Sequence, residues 1–271
     1  MSDEANLDAY LKRINYAGSI APTLETLEMV HRLHPAVIPF ENLNPLMELP
    51  VRLQLSDLEQ KLLIERRGGY CLEHNLLFKA ELEAMDFKVT PLAAAVLWGR
   101  EEGYEPVDNH MALLVDVGGV PYLADVGFGG QVMAAPLRLR ADVEQNAGGE
   151  RYRLMGGHPK WRLETEIAGA WKPMYEFTVA ERTLDDYIAM NDITMALFRD
   201  DLVAARVDGG KRFALRNGRL RTHENGGTET RELGSLPEIR EVLTNVFGIQ
   251  LPDSERLGPA LEKALRPGAN T

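Results

Sequence analysis

Apolar residues in the first part of the chain recur with the period of an α-helix. A first stripe is formed by Leu7, Tyr10, Leu11 and Ile14. A second helix is predicted to begin after Thr23, whose hydroxyl can cap it, and to end at Pro35. The pattern predicts mostly helical structure as far as about residue 85.

Two more helices are predicted around a pair of glycines. Ser56 and Glu59 have the spacing of a capping box, which predicts a helix from there to Arg66. Gly68 and Gly69 then interrupt the pattern, because glycine is unfavourable inside helices and allows sharp turns. Apolar residues resume at a spacing of four in Leu72, Leu76, Ala80 and Ala84, which predicts a helix ending near Met85.

From Phe87 onward the pattern changes to short apolar runs that are separated by turn residues. Gly118-Gly119 and Gly169-Ala170 are predicted to be hairpin turns. The predicted strands span residues 89–98, 110–117, 120–126, 152–155, 161–167 and 171–179. They predict an antiparallel sheet or a small barrel. The last part is mixed, with strand-like runs at 202–207 and 212–215 and a helix capped by Ser235.

Composition narrows the range of functions. The chain has 271 residues, 45% of them hydrophobic, and a formal net charge of −11. There is no basic block or stripe, so nucleic acid is not an expected partner. The N-terminal residues lack the features of a signal peptide and no apolar run approaches a membrane span, so we expect a soluble cytoplasmic protein without a membrane partner.

Cys71 is the only cysteine, so it can form neither an internal disulfide nor a thiolate metal site, and no metal is expected. It falls in the first turn of a predicted helix, where free N–H groups and the helix dipole stabilise an anion. Such positions lower thiol pKa values from ~8.5 to roughly 3.5–7.5. Arg66 and Arg67 could add positive potential. The alternative is an inert cysteine packed in the core.

The hairpin at Gly118-Gly119 brings a histidine and a carboxylate to one face. If Gly118 and Gly119 form a two-residue turn, the residue numbers of each pair across the hairpin add up to 237. Ala112 is then opposite Asp125, and His110 is opposite Gly127. Side chains alternate with a period of two, so His110 and Asp125 point the same way as diagonal neighbours, about 7–8 Å apart at Cα. A register shift of one residue would separate them.

Cys71, His110 and Asp125 can form a nucleophilic triad. The carboxylate would orient the imidazole, and the imidazole would take the thiol proton. His74, three residues after Cys71 on the same helix, is the competing base. The same arrangement serves acyltransferases, cysteine amidases and transglutaminase-like enzymes, and taken singly His110 and Asp125 could have only structural roles.

Three segments resemble the signature motifs of the arylamine N-acetyltransferases. They are Arg67-Gly68-Gly69-Tyr70-Cys71-Leu72-Glu73-His74-Asn75, His110-Met111-Ala112-Leu113-Leu114-Val115 and Asp125-Val126-Gly127-Phe128-Gly129. Pro39-Phe40-Glu41-Asn42-Leu43 resembles that family's N-terminal motif. The resemblance implies an α+β fold with a cysteine-protease/transglutaminase-like catalytic core. Its domains would be an N-terminal helical domain (1–86), a central antiparallel β-barrel (87–190) and a C-terminal α/β lid (191–271).

The resemblance also implies acetyl-CoA as cosubstrate and a Cys71 thioester as intermediate, with an arylamine, arylhydrazine or N-hydroxyarylamine as acceptor. Gly127, Phe128 and Gly129 resemble the loop beside the acetyl and CoA path, and Phe40, Val96 and Phe198 are candidate apolar walls. An amide synthase that closes a macrolactam, or a non-catalytic binding protein, are alternatives on this scaffold. The segment 191–198 is shorter than usual and lacks serine and proline, which predicts an altered acceptor wall.

Overall fold

The computed structural model describes residues 4–101, 103–180 and 182–266. Residues 1–3 and 267–271, which belong to the ends of the predicted first and last domains, lie outside the described residues. The predicted absence of a signal peptide rests partly on residues 1–3. Within the described ranges, the helices are α1 (Leu7–Arg13), α2 (Leu24–Val37), α3 (Leu43–Leu46), α4 (Leu55–Glu59), α5 (Cys71–Ala84), α6 (Leu184–Leu197), α7 (Leu236–Glu241) and α8 (Leu257–Ala264).

The second helix begins as predicted but ends later. The Thr23 side chain accepts the Thr26 N–H, as expected for a cap. The prediction that Pro35 closes the helix is wrong, because α2 continues to Val37. A proline near the C-terminal end of a helix removes only one backbone hydrogen bond, and the Ile38 N–H still bonds to the His34 carbonyl at 2.8 Å.

The predicted capping box at Ser56 is also wrong. The helix begins one residue earlier, at Leu55, and its cap is Gln54, whose carbonyl accepts the Asp57 and Leu58 N–H groups. After α4, residues 60–64 form a π-helical turn, and Arg66 adopts a positive φ of 53°. The left-handed residue at this break is therefore Arg66 and neither of the two glycines, and α5 begins at Cys71 as predicted.

The central strands form one antiparallel sheet that nearly closes into a barrel. In the described part of the chain it contains β2 (Lys88–Val96), β3 (His110–Val117), β4 (Val120–Ala124), β5 (Leu137–Arg138), β6 (Glu144–Ala147), β7 (Glu150–Gly157), β8 (Lys160–Ile167) and β9 (Ala170–Thr178). Its order is β5-β4-β3-β2-β9-β8-β7-β6. The end strands meet where the Gln145 side chain bonds to the backbone N–H and carbonyl of Arg138 at 2.9 Å each.

The turn at Gly118-Gly119 is confirmed, with φ values of 60° and 85°. Val117 pairs with Val120 and Leu113 with Ala124, which is the register that the sequence predicted. The second turn is shifted by one residue. Ile167 pairs with Ala170, so Ala168 and Gly169 form the turn, both at positive φ.

The C-terminal region forms a second sheet with α7 and α8 packed on one face. In the described ranges its strands are β1 (Phe40–Glu41), β10 (Val203–Asp208), β11 (Lys211–Arg216), β12 (Arg219–Glu224) and β13 (Gly227–Glu232), in the order β1-β10-β11-β12-β13. Sequence analysis missed β12 and β13 because they are largely polar and β13 is exposed at every position. β1 carries Phe40 from the helical region into this sheet, where it pairs with Ala205.

Three buried clusters hold these layers together, and the largest joins the N-terminal helices to the outside of the barrel strands. The others fill the barrel and the space beneath the second sheet. α6 is one continuous helix that spans residue 190, where the sequence predicts the boundary between the second and third domains. Among the described residues, no helix is long and apolar enough to cross a membrane.

Candidate active site

A buried ionic network fixes the start of α5. The Glu73 carboxylate accepts the Tyr70 N–H at 3.0 Å and pairs with Lys61 at 2.6 Å. Arg67 does not face the thiol, because its guanidinium binds Glu41 at 2.8 Å. The first turn of the helix is therefore fixed by this network, and the charge of Arg67 is compensated by Glu41.

Close packing around Cys71 explains why glycines occur there. A Cβ on Gly68 would lie 1.9 Å from the Pro39 carbonyl oxygen, and one on Gly69 would lie 2.7 Å from the Glu73 carboxylate. A Cβ on Gly127 would lie 2.8 Å from the Cα of Cys71. The loop after β4 can thus rest directly against the first turn of α5 only because residue 127 has no side chain.

The Cys71 side chain is buried, with 4% of its surface exposed. Its Sγ lies 3.8 Å from the backbone oxygen of Asn109, which also accepts a hydrogen bond from Thr194 Oγ1 at 3.1 Å. The Asn109 side chain accepts the Val96 N–H at 3.0 Å. Contacts with Asn109 therefore join the barrel, α6 and the start of α5 close to the sulfur atom.

His110 and Asp125 meet as the hairpin register predicts. His110 begins β3 and Asp125 follows β4 directly, and both side chains are almost completely buried. The Nε2 atom of His110 donates to Oδ2 of Asp125 at 2.7 Å. The His110 ring also lies close enough to the Cys71 side chain for the thiol to help raise the pKa of the imidazole. The three predicted residues therefore lie in one connected line.

The pKa values of the pair favour its charged form. Burial alone would lower the pKa of His110, but the Asp125 carboxylate and the hydrogen bonds to Asp125 and Cys71 outweigh it and raise the pKa to about 10. Burial raises the pKa of Asp125, and this is outweighed by His110 and by hydrogen bonds from Asn75 and Gly127, so that the pKa lies below its usual value. An imidazolium at neutral pH can stabilise a neighbouring thiolate.

Sequence analysis missed two residues that hold Asp125. Asn75, one helical turn after Cys71, donates from Nδ2 to Asp125 Oδ1 at 3.0 Å and accepts the Val126 N–H at 3.2 Å. His31 on α2 accepts the Asp125 backbone N–H at 3.1 Å. The spacing of four residues between Cys71 and Asn75 places both on one helix face and could have revealed Asn75. No local pattern marks His31.

The competing base, His74, faces away from the thiol. Its Nδ1 bonds to His34 Nε2 at 2.9 Å and its Nε2 lies 3.2 Å from the Pro39 carbonyl. His34 in turn bonds to the Tyr10 hydroxyl at 3.0 Å. Both nitrogens of His74 are engaged in this buried network, and desolvation lowers its pKa to about 4. The geometry therefore leaves His110 as the base beside Cys71.

A cleft of about 650 Å³ opens over Cys71 and His110. Of the predicted substrate residues, the cleft wall includes Phe40, Val96, Gly127, Phe128 and Phe198. Gly129 is not in the wall; it lies beside the Phe40 ring, and its φ of 65° suits glycine. Trp98 also lines the cleft and was not predicted. The wall therefore contains four aromatic side chains besides Cys71 and His110.

The segment 191–198 forms the end of α6 and its cap. The Tyr70 hydroxyl donates to Oδ1 of Asn191, and the Tyr70 and Phe198 rings stack with centroids 5.9 Å apart. Phe198 also meets the Phe40 ring at 5.7 Å. Within the ranges that the structure describes, no group of three or more histidine, cysteine, aspartate or glutamate side chains could hold a metal ion.

Burial of His31 predicts acid-sensitive stability. Desolvation lowers the pKa of His31 to about 4, whereas an unfolded histidine titrates near 6.5. As the pH falls, the histidine of the unfolded state therefore binds a proton before the buried His31 does. The contribution of His31 to the free energy of unfolding is complete above pH ~6.5. It falls by up to about 3 kcal/mol as the pH approaches ~4. Urea unfolding should show that the difference in free energy of unfolding between the parent and His31→Gln becomes smaller as the pH falls through this window.

Glu81 is a matched control for His31, because burial shifts its pKa in the opposite direction. Burial raises the pKa of its carboxyl to about 8, so its stabilising contribution is lost as pH rises from about 4.5 to about 8. Glu81→Gln should therefore gain stability relative to the parent as the pH rises. A pH-independent difference for both variants would contradict the buried, neutral forms of these side chains.

Comparison with known proteins gives consistent matches along the chain. A family model described as N-acetyltransferase matches residues 23–256. The arylamine N-acetyltransferase of Mycolicibacterium smegmatis is 37% identical over 258 residues, which cover 92% of this chain and 93% of that protein. The arylamine N-acetyltransferase / N-hydroxyarylamine O-acetyltransferase of Salmonella typhimurium is 35% identical over 253 residues, 91% of this chain and 90% of that protein.

A solved structure supports the same relationship. The arylamine N-acetyltransferase of Mycobacterium marinum in complex with CoA superposes with a TM-score of 0.92 at 35% sequence identity. The match covers 96% of this chain and all of that chain. The α+β fold predicted from the sequence, with its helical region, barrel and C-terminal α/β region, is confirmed.

Proposed function

Since this chain belongs to the arylamine N-acetyltransferase family, we propose that it transfers the acetyl group of acetyl-CoA to an arylamine, arylhydrazine or N-hydroxyarylamine through a thioester on Cys71. One observation carries the proposal: Cys71 begins α5 beside His110, which is bonded to Asp125, and this line opens on an aromatic cleft. The roles of the three residues are part of the proposal.

In the first half-reaction, the thiolate of Cys71 attacks the thioester carbonyl of acetyl-CoA. The charge that develops on the carbonyl oxygen meets the free N–H groups at the start of α5. The bond to the CoA sulfur breaks, and the departing thiolate takes the proton that the His110 imidazolium carries. The products are CoA and acetyl-Cys71, with His110 neutral and still oriented by Asp125.

In the second half-reaction, the acceptor amine enters the cleft that CoA has left. It attacks the acetyl carbon, its proton passes to His110, and the Cys71 thiolate departs. Phe40, Phe128 and Phe198 present ring faces and edges to this space, which suits an aromatic acceptor. Gly127 keeps the loop after β4 close enough to Cys71 to limit the space around the acetyl group.

The division of labour that we propose follows the three predicted regions. Residues 1–86 supply the nucleophile, residues 87–190 supply His110 and Asp125, and residues 191–271 close the cleft with Phe198. Phe40 is the exception, because β1 places it in the sheet of the third region. We further propose a cytoplasmic location, since a reducing compartment keeps the single thiol free for this chemistry.

The reaction order provides the first test. Because CoA leaves before the acceptor binds, initial rates measured with varied acetyl-CoA and acceptor should give parallel double-reciprocal lines. Rapid mixing with acetyl-CoA in the absence of acceptor should release one equivalent of CoA per active site. A macrolactam-closing amide synthase, the alternative predicted from sequence, would not form this acetylated enzyme at a useful rate.

Intersecting lines would contradict the proposal, because they require donor and acceptor to be bound together. The control is CoA release in the absence of an acceptor amine. Release should stop after a single burst, because an acetyltransferase does not pass the acetyl group to water at a useful rate. A cysteine amidase would continue to release CoA. Sustained release without amine would therefore favour the hydrolase alternative.

A further inference from the structure

The strand β13 is an open edge of the second sheet. In the described part of the chain, β13 pairs with β12 on one side only and is exposed at every position. The opposite edge of the same sheet, β1, is covered by the glycine turn, because Glu41 donates its N–H to the Gly69 carbonyl at 2.8 Å. The end strands of the barrel sheet meet each other through Gln145. β13 is therefore the longest strand edge without a neighbour in the described ranges, and such an edge can pair with another chain.

The hydrogen-bond pattern of the β12–β13 hairpin shows which backbone groups point outward. Asn225 and Gly226 form a two-residue turn, both at positive φ, and Glu224 pairs with Gly227. In such a turn the closing pair is hydrogen-bonded, and bonded pairs alternate along the strand. Leu233 follows the same alternation, since its N–H bonds at 2.7 Å to the carbonyl of the residue before β12. The even-numbered residues of β13 therefore direct their N–H and carbonyl groups away from β12. They are Thr228, Thr230 and Glu232.

One face of β13 carries charges of both signs. Glu229 and Arg231 are two residues apart, so their side chains lie on the same face of the sheet. Among the described residues, the Glu229 carboxylate has no hydrogen bond or ion pair. The Arg231 guanidinium lies 3.6 Å from the Glu238 carboxylate, and both of these side chains are exposed. Glu232, on the other face, is already paired with Arg219 at 2.7 Å. A free carboxylate and a loosely held guanidinium therefore remain at this edge.

These two charges favour one way of pairing β13 with a second copy of itself. Two identical antiparallel strands are related by a two-fold axis, which requires residues of the same face to be opposite each other. With Thr230 opposite Thr230 of the second copy, Glu229 is opposite Arg231 and Arg231 is opposite Glu229. The two neighbouring symmetric registers place Glu229 opposite Glu229 or Arg231 opposite Arg231, which like-charge repulsion disfavours. The charges therefore select the register centred on Thr230.

We propose that the protein forms a two-fold dimer in which β13 of each copy pairs with β13 of the other, so that their second sheets join into one antiparallel sheet. Thr230 exchanges both backbone hydrogen bonds with Thr230 of the second copy, and Thr228 does so with Glu232. A Glu229–Arg231 ion pair lies on each side of the two-fold axis. β1, which carries Phe40 of the cleft wall, is at the opposite edge of the sheet, so the dimer leaves both clefts open.

The size of this contact determines how tight the dimer should be. β13 has six residues, which is a small contact compared with the ~1,600 Å² that a standard interface buries. We therefore expect a reversible dimer, and sedimentation equilibrium of the full chain is the measurement that detects it. The weight-average mass of the parent should rise from that of one copy towards that of two between about 1 μM and about 1 mM.

Charge reversal tests the register. Glu229→Arg and Arg231→Glu should each raise the dissociation constant of the dimer by about tenfold or more, because each change places like charges opposite each other at two symmetric positions. An equimolar mixture of the two variants should associate as tightly as the parent, since every charge at positions 229 and 231 then meets an opposite charge. Lys172→Glu is the matched control for Arg231→Glu, because it makes the same change in net charge on β9 of the barrel. It should dimerise like the parent.

Thr230→Pro tests the backbone hydrogen bonds separately. Proline removes the outward N–H at the centre of the register and none of the bonds between β12 and β13. This variant should therefore remain monomeric over the same concentrations, with an unchanged circular dichroism spectrum.

Three results would overturn the dimer. The first is a parent that remains monomeric at about 1 mM. The second is a parent dimer that survives Glu229→Arg, Arg231→Glu and Thr230→Pro, because its interface would then lie elsewhere. The third is a mixture of the two charge variants that associates no better than either variant alone.

Discussion

Replacement of Cys71 by serine should lower the acetyl-transfer rate by about 10⁴-fold or more, as expected when the nucleophile of a catalytic unit is removed. His110 and Asp125 would remain in place, but an alkoxide is far harder to generate than a thiolate. Steady-state transfer from acetyl-CoA to a simple aniline measures the effect. The substitution changes one buried atom, so the fold should be retained.

Circular dichroism and urea unfolding provide the control for Cys71→Ser. The parent and the variant should have the same spectrum and free energies of unfolding within about 1 kcal/mol, because the change replaces a single atom at the edge of the cleft. A serine variant that transfers acetyl groups within about tenfold of the parent, a difference of only ~1.4 kcal/mol in activation free energy, would exclude covalent catalysis by this residue.

Asp125→Asn should reduce transfer by about 10³–10⁴-fold, since an amide in this position favours the wrong imidazole tautomer. The Asp125 carboxylate is the strongest influence that raises the pKa of His110, so its loss should leave the imidazole neutral and the thiol protonated. Cys71 is the only thiol in the chain, and alkylation by iodoacetamide therefore reports on this site alone. At about pH 6, where an unperturbed thiol of pKa ~8.5 is almost fully protonated, alkylation should slow sharply.

Asp116→Asn is a suitable control for that substitution. Asp116 lies on β3, like His110, but its carboxylate accepts the Gly119 N–H in the hairpin turn, away from the cleft. It should leave alkylation and transfer almost unchanged. Unchanged alkylation in Asp125→Asn, with an intact fold, would remove Asp125 from the proposed mechanism.

The hairpin shows how far local sequence could predict the site. Two glycines at positive φ set the turn, the turn sets the register, and the register places His110 and Asp125 on one face. The start of α5 at Cys71 could also be predicted from local sequence, because two glycines interrupt the pattern and apolar residues then recur every four positions. These features depend on contacts between near neighbours in the chain.

The remaining features depend on contacts between distant residues. His31 and Asp125 are hydrogen-bonded although they are 94 positions apart in the sequence, and His34 and His74 are bonded at a separation of 40 positions. Gly68 and Gly127 are required by atoms of distant residues that pack against them and not by their own backbone conformation, because neither has a positive φ. The polar strands β12 and β13 lack an apolar alternation because β13 is an edge strand that is exposed at every position, and β12 buries only Leu220.

The Cys71 thioester can be tested directly by the mass of the intact protein after incubation with acetyl-CoA and without an acceptor. We expect a mass increase of one acetyl group, located on the peptide that contains Cys71. The increase should be lost when an arylamine is added and should be absent in Cys71→Ser. A protein that remains unmodified under these conditions, while it still acetylates an arylamine when both substrates are present, would contradict the Cys71 thioester.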